Sequence, residues 1–426
     1  MALETLDLTS VDPALKQIYR PRNVEDMTFD RRPLIAMLSK FEGFGGRDMP
    51  VVAQFGNPQG RSAVFATAQQ NATAAKLQDF LLTRIRDFSV ANVDGETAEA
   101  TEGDSESFLS AMSLQIDGAI KSLANANETF AYRSGTGSLG ALAANATVRQ
   151  GVTSSTASDT ILLTKASDAK LFEVGMTLKA SATDGGALRT GSELVKGVQR
   201  GLIGALISTS ATWATVITAI AGADFLSVEG DGAAGGASKK FSGLASWLPE
   251  TAPTTGDSHF GVDRSVDSRL FGNFVDASGG SLVEEAIIDG QSVAASEGGA
   301  VDTTIINHVK NRLLVKQLGS KVEYERVSAR NADGGEATVG FNSVLIHGDE
   351  GLIKVVAANK CQEDIAWVLQ MDTWEIPSLR ALVHMLMLDG LKILRVATDD
   401  AYEVRVGTRG QMSCNAPGWN SRVKLA

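Results

Sequence analysis

The chain has 426 residues, with 39 basic against 50 acidic side chains, a formal charge of −11 and 43% apolar residues. Its length exceeds one ordinary core, so two or three domains are expected, and its apolar content excludes wholesale disorder. The acidic balance excludes nucleic-acid binding as the main task, because neutralising phosphates requires a basic face, although such a chain can enclose DNA without sticking to it.

Two cysteines, Cys361 and Cys414, make no disulfide framework and no C-x-x-C zinc spacing. Free thiols and a reduced site of folding follow. The opening MALETLDLTS has no basic-then-apolar pattern of a secretory signal, so the sequons at Asn71, Asn127 and Asn145 are read as chance matches. From Gly201 to Ala223 no residue is charged, a length that could span a bilayer. Six Ser or Thr and three Gly interrupt that stretch, however, and buried strands explain it better.

In chain order, residues 1–45 read as an N-terminal arm punctuated by Pro13, Pro21 and Pro33, with a short helical pattern only from Leu34 to Phe41. Residues 46–94 read as an extended two-stranded ribbon. Val51–Phe55 is strand-like, 56–60 is a turn, Ser62–Phe65 returns, and the run Asp79–Val90 alternates partly. A ribbon of that length is hard to stabilise alone in water. Residues 95–151 carry the strongest helix signal. Asp104 suits an N-cap, Leu109, Met112, Ile116, Ile120, Leu123 and Phe130 recur at helical steps, and Gly135 closes a run that would reach roughly 45 Å at about 1.5 Å per residue.

Between 152 and 238 the pattern changes to short apolar runs separated by Gly, Ser, Asp and Thr turns. The runs are Thr160–Leu163, Met176–Ala180, Leu194–Val198, Ala205–Ile207, Val216–Ile220 and Phe225–Val228. Such spacing predicts a small β-barrel or sandwich. From 239 to 426 helices and strands alternate. Ser281 with Glu284 reads as a capping box, and Thr303–Ile306 as a strand. Asn307 caps a helix ending at Gly319, and strands follow at Gly351–Ala357, Ala366–Leu369, Ile393–Val396 and Tyr402–Val406. The fold class is therefore α+β.

Recognisable catalytic chemistry is missing, and no enzyme, cofactor or metal site is expected. Gly135-Thr-Gly137-Ser-Leu-Gly140 matches a dinucleotide pattern but follows a long helix instead of opening one, so it reads as a helix C-cap and loop. The four histidines, His259, His308, His347 and His384, include no i, i+4 pair. The acidic run Asp94, Glu96, Glu99, Glu102, Asp104 and Glu106 lacks the glycine and spacing of a calcium loop, and helix-dipole and solvation duty fits it better. Of Trp247, Trp367, Trp374 and Trp419, most suit a core, while Trp419 equally suits a subunit contact. The arm, ribbon and long helix leave apolar surface and strand edges unpaired, which makes sense only when neighbours cover them.

This order of parts resembles the Hong Kong 97 fold of tailed-bacteriophage major capsid proteins. The likeness is carried by Phe80-Leu-Leu-Thr-Arg-Ile-Arg-Asp-Phe88 leading to Asp94-Gly-Glu96, and by Gly243-Leu-Ala-Ser-Trp247, Phe260-Gly-Val-Asp-Arg-Ser-Val266 and Leu318-Gly-Ser-Lys-Val-Glu-Tyr324. Val368-Leu-Gln-Met-Asp-Thr-Trp374, Ala401-Tyr-Glu-Val-Arg-Val-Gly407 and Cys414-Asn-Ala-Pro-Gly-Trp419 complete the set. It covers 46–140 and 240–426, with 152–238 as an inserted β-rich domain.

What the resemblance implies is an icosahedral shell of pentamers and hexamers around double-stranded DNA, located in the virion and assembled in the host bacterial cytoplasm. The spine helix would belong to a peripheral P domain. Residues 239–426 would form an axial A domain with strands returning to the P domain, and the ribbon would be an E-loop lying over a neighbour. Phe80, Leu82, Arg84, Arg86, Phe88 and Trp419 are the expected subunit contacts, with Phe80, Leu82 and Phe88 buried by that neighbour. Leu82→Asp is then expected to block shell formation while leaving a foldable monomer. The short arm implies a separate scaffolding protein. Portal and decoration proteins are further expected partners, and no membrane is. Lys76 is the only lysine between Lys40 and Lys121, so an E-loop cross-link would need it, and none is expected. An encapsulin-type cellular shell, or a β-rich head-decoration or adhesin protein, are the alternatives.

Overall fold

A computed structural model describes residues 32–96, 111–144, 156–201, 203–209, 212–318, 344–387, 390–396 and 398–426. Helix α1 (Pro33–Met37) and strand β1 (Ser39–Glu42) come first. Proline at the first helical position loses no hydrogen bond. The N–H groups of Leu34 and Ile35 donate to the buried carboxylate of Glu128 at 3.1 and 2.9 Å. Leu34, Ile35, Leu38 and Phe44 are all buried. The last part of the expected arm is thus core, while residues 1–31 lie outside the described residues. The helix expected to Phe41 ends at Met37, because Leu38 turns extended and β1 pairs in parallel with Trp374–Ser378.

Strands β2 (Asp48–Gly56) and β3 (Lys76–Thr83) form the ribbon, with Val51 opposite Phe80 and Met49 opposite Leu82. The return is β3 and not Ser62–Phe65; helix α2 (Phe65–Gln70) and loops fill the tip. The run read as a single strand over Asp79–Val90 is two strands, since β4 (Ile85–Asp94) leaves the ribbon at Arg84. There the Arg84 guanidinium donates to the carbonyls of Phe44 (2.6 Å) and Gly46 (2.5 Å), which holds the break in place.

The spine helix α3 (Ala111–Ala131) is described over 21 residues. The expected cap Asp104 lies outside the described residues. Ala119 and Leu123 pack on Ala91 of β4, which fixes helix to sheet. Strand β5 (Ser138–Ala141) follows.

The β-rich segment contains β6 (Thr160–Leu162), β7 (Thr177–Ser181), β8 (Glu193–Gln199), β9 (Ala205–Ser208) and β10 (Phe225–Val228). They order as β5-β10-β7-β8-β9-β6 in one sheet. The strand expected at Val216–Ile220 is absent; helix α4 (Trp213–Val216) and a turn stand there. Trp213, Ile217 and Ile220 all enter one core, at spacings of four and three that no strand can put on one face. No described helix is long and apolar enough to cross a membrane.

Then come α5 (Leu244–Trp247), β11 (Ser258–His259), β12 (Val262–Asp263), β13 (Asn273–Ala277), α6 (Val283–Ser296), β14 (Thr303–Ile306) and α7 (His308–Leu318). They are followed by β15 (Val344–Gly348), β16 (Gly351–Ala357), β17 (Ile365–Leu369), β18 (Trp374–Ser378), β19 (His384–Met385), β20 (Ile393–Arg395), β21 (Ala401–Gly410), β22 (Ser413–Cys414) and β23 (Ser421–Leu425). Strands β13-β23-β17-β14-β16-β15 make a six-stranded sheet under α6. Gly290 allows that helix to lie close, since a Cβ there would come within 2.6 Å of Val423. The expected capping box is shifted by one residue, for Glu285 and not Glu284 accepts from the N–H of Leu282. Asn307 caps α7 as expected, accepting from the Val309 N–H at 3.1 Å.

The remaining strands return to β4. Strand β21 runs antiparallel to the whole of β4, and with β1, β18, β19, β20 and β22 the two make a seven-stranded sheet. The central core joins α1, the ribbon base, α5 and the β17–β18 region through Leu34, Phe80, Trp247, Trp367 and Trp374. The class is α+β, as the sequence indicated.

Candidate assembly surfaces

Because side chains alternate along β2 and β3, the ribbon has two faces. One carries Val51, Ala53, Phe80 and Leu82, all buried within this chain. Phe80 meets the Trp247 ring edge-on at 5.1 Å. A neighbour is therefore not what buries Phe80 and Leu82, which corrects the sequence-based expectation. The break at Arg84 explains the difference, since it ends the ribbon over its own body. The other face is left in water, with Val52 60% and Leu77 57% exposed beside Leu81, and at the tip Phe65 is 82% exposed. Apolar residues at 77 and 80–82 on a strand signal that both faces are apolar, and that signal could have located this surface.

The ribbon is joined to the body by rings. His259 lies 4.7 Å from Trp247 and 4.5 Å from Phe260, and the Leu81 N–H donates to the Phe260 carbonyl at 2.9 Å. Burial, and then the nearby Arg264 charge, push the His259 imidazole down to about 3. Its Nε2 has no hydrogen-bond partner among the described residues.

A second open face belongs to β4 and β21. Arg86, Phe88 and Val90 point away from α3, and Phe88 is 51% exposed. Its ring lies over Gly407, where a Cβ would sit 3.3 Å away. Trp419 is 38% exposed, with its backbone close against Gly299. Arg84, by contrast, is engaged with backbone carbonyls. Of the six expected contact residues, three are thus open (Arg86, Phe88 and Trp419), Arg84 is partly covered and two are in the core.

Behind the β4 face sits a buried ionic group. The Lys240 ammonium lies 2.6 Å from Asp87 and 2.9 Å from Asp231, over the Phe130 ring at 5.2 Å. Burial, only partly offset by Lys240, raises the Asp231 carboxyl above its usual range. Burial likewise raises Glu128 despite its two backbone donors and the Tyr132 hydroxyl.

Candidate chemistry elsewhere takes structural forms. Gly135 and Gly137 have positive φ, and a Cβ on Gly137 would lie 2.3 Å from the Asp231 carbonyl oxygen. That motif leads from a helix into β5. Cys361 and Cys414 are buried and free; burial pushes both thiols up, Cys414 to about 12. Among the described residues no group of three or more His, Cys, Asp or Glu is placed to hold a metal ion. Glu99, Glu102, Asp104 and Glu106 lie outside them.

No protein-family model matches the chain, and no curated protein matches it. Among solved structures, a chain of the cyanophage A-1(L) capsid asymmetric unit is similar at 9% identity and a TM-score of 0.55, covering 96% of this chain and 97% of that chain. A capsid chain of a native GTA particle matches at 7% identity and a TM-score of 0.48, covering 100% of both chains. A chain of the holo-SrpI encapsulin complex from Synechococcus elongatus PCC 7942 matches at 7% identity and a TM-score of 0.47, covering 99% of this chain and 96% of that one. The chain has the Hong Kong 97-like capsid fold.

Proposed function

We propose that this chain is the major capsid protein of a tailed bacteriophage, assembling as pentamers and hexamers into an icosahedral head around double-stranded DNA. What carries the reading is a capsid fold, shared over nearly the whole length with the cyanophage chain, that leaves an apolar ribbon face and tip in water. Residues such as Phe65, Val52 and Leu77 are costly to leave exposed, at about 25 cal/mol per Å² of apolar surface. A neighbouring copy that takes up the ribbon's outer face removes that cost. An element passed to a neighbour makes a heterologous contact, which closes into rings.

In this reading the ribbon is the E-loop and residues 1–45 the arm. Residues 95–151 belong to the P domain, 152–238 are an insertion, and 239–426 contain the A domain with returning strands. Arg84, Arg86, Phe88 and Trp419 contribute to subunit contacts, while Phe80 and Leu82 act by holding the ribbon in shape. A scaffolding protein, a portal and a decoration protein are the partners, the virion is the location, and assembly takes place in the host cytoplasm.

The test is electron microscopy of the purified chain, expressed alone and with its candidate scaffolding protein. Closed shells, or hexamer and pentamer rings, are expected. A monodisperse monomer under both conditions would overturn the reading, and shells that enclose an enzyme instead of DNA would assign the chain to cellular compartments.

A further inference from the structure

We propose that the β4–β21 strand pair is an electrically polarised docking bar, whose basic end in one copy receives the acidic end of a second copy. The proposal rests on the shell reading and specifies one contact within it.

At one end, Arg86 and Arg409 stand directly opposite each other across the two strands. Like charges in that position destabilise a strand pair. Neither arginine is paired with a carboxylate among the described residues. Beside them runs a groove of about 330 Å³ lined by Arg84, Arg86, Lys239 and Lys240, in which Asp231 is the single carboxylate. Lys240 already occupies Asp231 together with Asp87. This end therefore carries uncompensated positive charge on a chain that is acidic as a whole.

At the other end the sign reverses. Glu96 follows β4, and Asp399 and Asp400 form the turn before β21; all three are exposed. The two segments touch, since the Gly95 N–H donates to the Asp400 carbonyl at 2.8 Å. Among the described residues Arg395, opposite Tyr402 of β21, is the exposed cation nearest in the strand register. From residue 86 to residue 94 the strand rises roughly 27 Å at about 3.4 Å per residue. That is several times the Debye length of about 8 Å at physiological ionic strength, so the ends do not neutralise each other within one copy.

Charge complementarity is thus offered on one rigid element, with Phe88 and Val90 exposed between the poles. A basic groove open to any polyanion would need no acidic pole on the same strands. A head-to-tail contact between copies uses both, fixes their register and rejects the reversed orientation.

Three variants test this against the wild type: R86E/R409E, D399K/D400K, and all four changes together. The first makes the net charge more negative, the second less negative, and the third restores it. Shell yield is read by sedimentation and electron microscopy at about 0.15 M salt, with thermal unfolding of the unassembled chain as the folding control. Each paired reversal is expected to cut shell yield by roughly tenfold or more, and the combined variant to recover most of it. D399K/D400K assembling as well as wild type would overturn the proposal and leave the basic end to another anion. So would a combined variant that folds but does not assemble. If the wild type itself makes no shells, the capsid reading falls and this contact with it.

Discussion

His259 sits where the ribbon meets the body, enclosed by Trp247, Phe80 and Phe260. No ring in that enclosure can accept its proton, and the charged group that bears on it is Arg264, a like charge. In the unfolded chain the imidazole titrates near 6.5; in the folded chain it does so at about 3. Between those values the unfolded chain binds a proton that the folded chain refuses, so stability falls as pH falls through that window. At pH 4.5 the loss should be roughly 1–3 kcal/mol. His259→Phe keeps a ring in the cluster and removes the titration. Urea midpoints at pH 7 and pH 4.5 should therefore lie closer together in the variant than in the wild type. Equal separations would mean that the acid sensitivity has another source. Asn420 shows the same dependence on a single buried side chain. Its Oδ1 accepts from the Trp374 indole N–H and the Gln370 N–H, both at 2.9 Å, while its Nδ2 donates to the Ala416 carbonyl at 3.0 Å. Neither role follows from residue type, since a histidine or an asparagine in a sequence does not announce which backbone loop will close over it.

The ribbon turns a difference of one residue into a difference of function. Leu81 and Leu82 are adjacent and point to opposite faces, Leu82 into the core and Leu81 into water. Leu82→Asp should cost more than about 3 kcal/mol, through a lost core side chain and a buried carboxylate, and leave little folded chain. Leu81→Asp should change stability by less than about 0.5 kcal/mol and yet abolish shells. Circular dichroism melts and electron microscopy of both variants separate the two effects; a stably folded Leu82→Asp monomer would place that residue at a subunit contact after all. The existence of this ribbon was legible in the sequence, as were the spine helix and most strands of the β-rich segment. Each shows its apolar period within its own ten to thirty residues. What was illegible depended on partners distant in sequence. β1 is a strand because β18 accepts it, although its residues continue a helical pattern. The break at Arg84 exists because carbonyls some 40 residues earlier take the guanidinium. That break decides which face of β3 is buried, and so Phe80 and Leu82 lie in this chain's own core instead of on its surface.

At the scale of the whole molecule, the β-rich insertion is built into the rest of the chain. Its sheet begins with β5, the first strand after the spine helix, and its core includes Ile85 of β4, Phe130 of α3 and Phe241, which follows the Gly-rich stretch 230–238. Asp231, within that stretch, helps to hold Lys240, which also holds Asp87 of β4. Sequence composition marked 152–238 as a unit, which suggests a module that could be removed cleanly. The packing argues otherwise. Deleting 152–238 would remove β10, the strand that β5 pairs with among the described residues, and expose Phe130 and Phe241. Lys240 would keep Asp87 and lose Asp231, leaving a buried pair without its second carboxylate. Uncovering two buried aromatic rings costs about 1.5–3 kcal/mol each, against a typical total stability of about 5–15 kcal/mol. The deletion variant is therefore expected to be insoluble or to lose its cooperative melt, and so to make no shells. Deleting only the β7–β8 loop, residues 183–187, should be tolerated more easily, since that change leaves the shared core intact. A variant lacking all of 152–238 that melts cooperatively near the wild-type temperature would show that the insertion's core closes on itself and that the shell-forming parts stand without it.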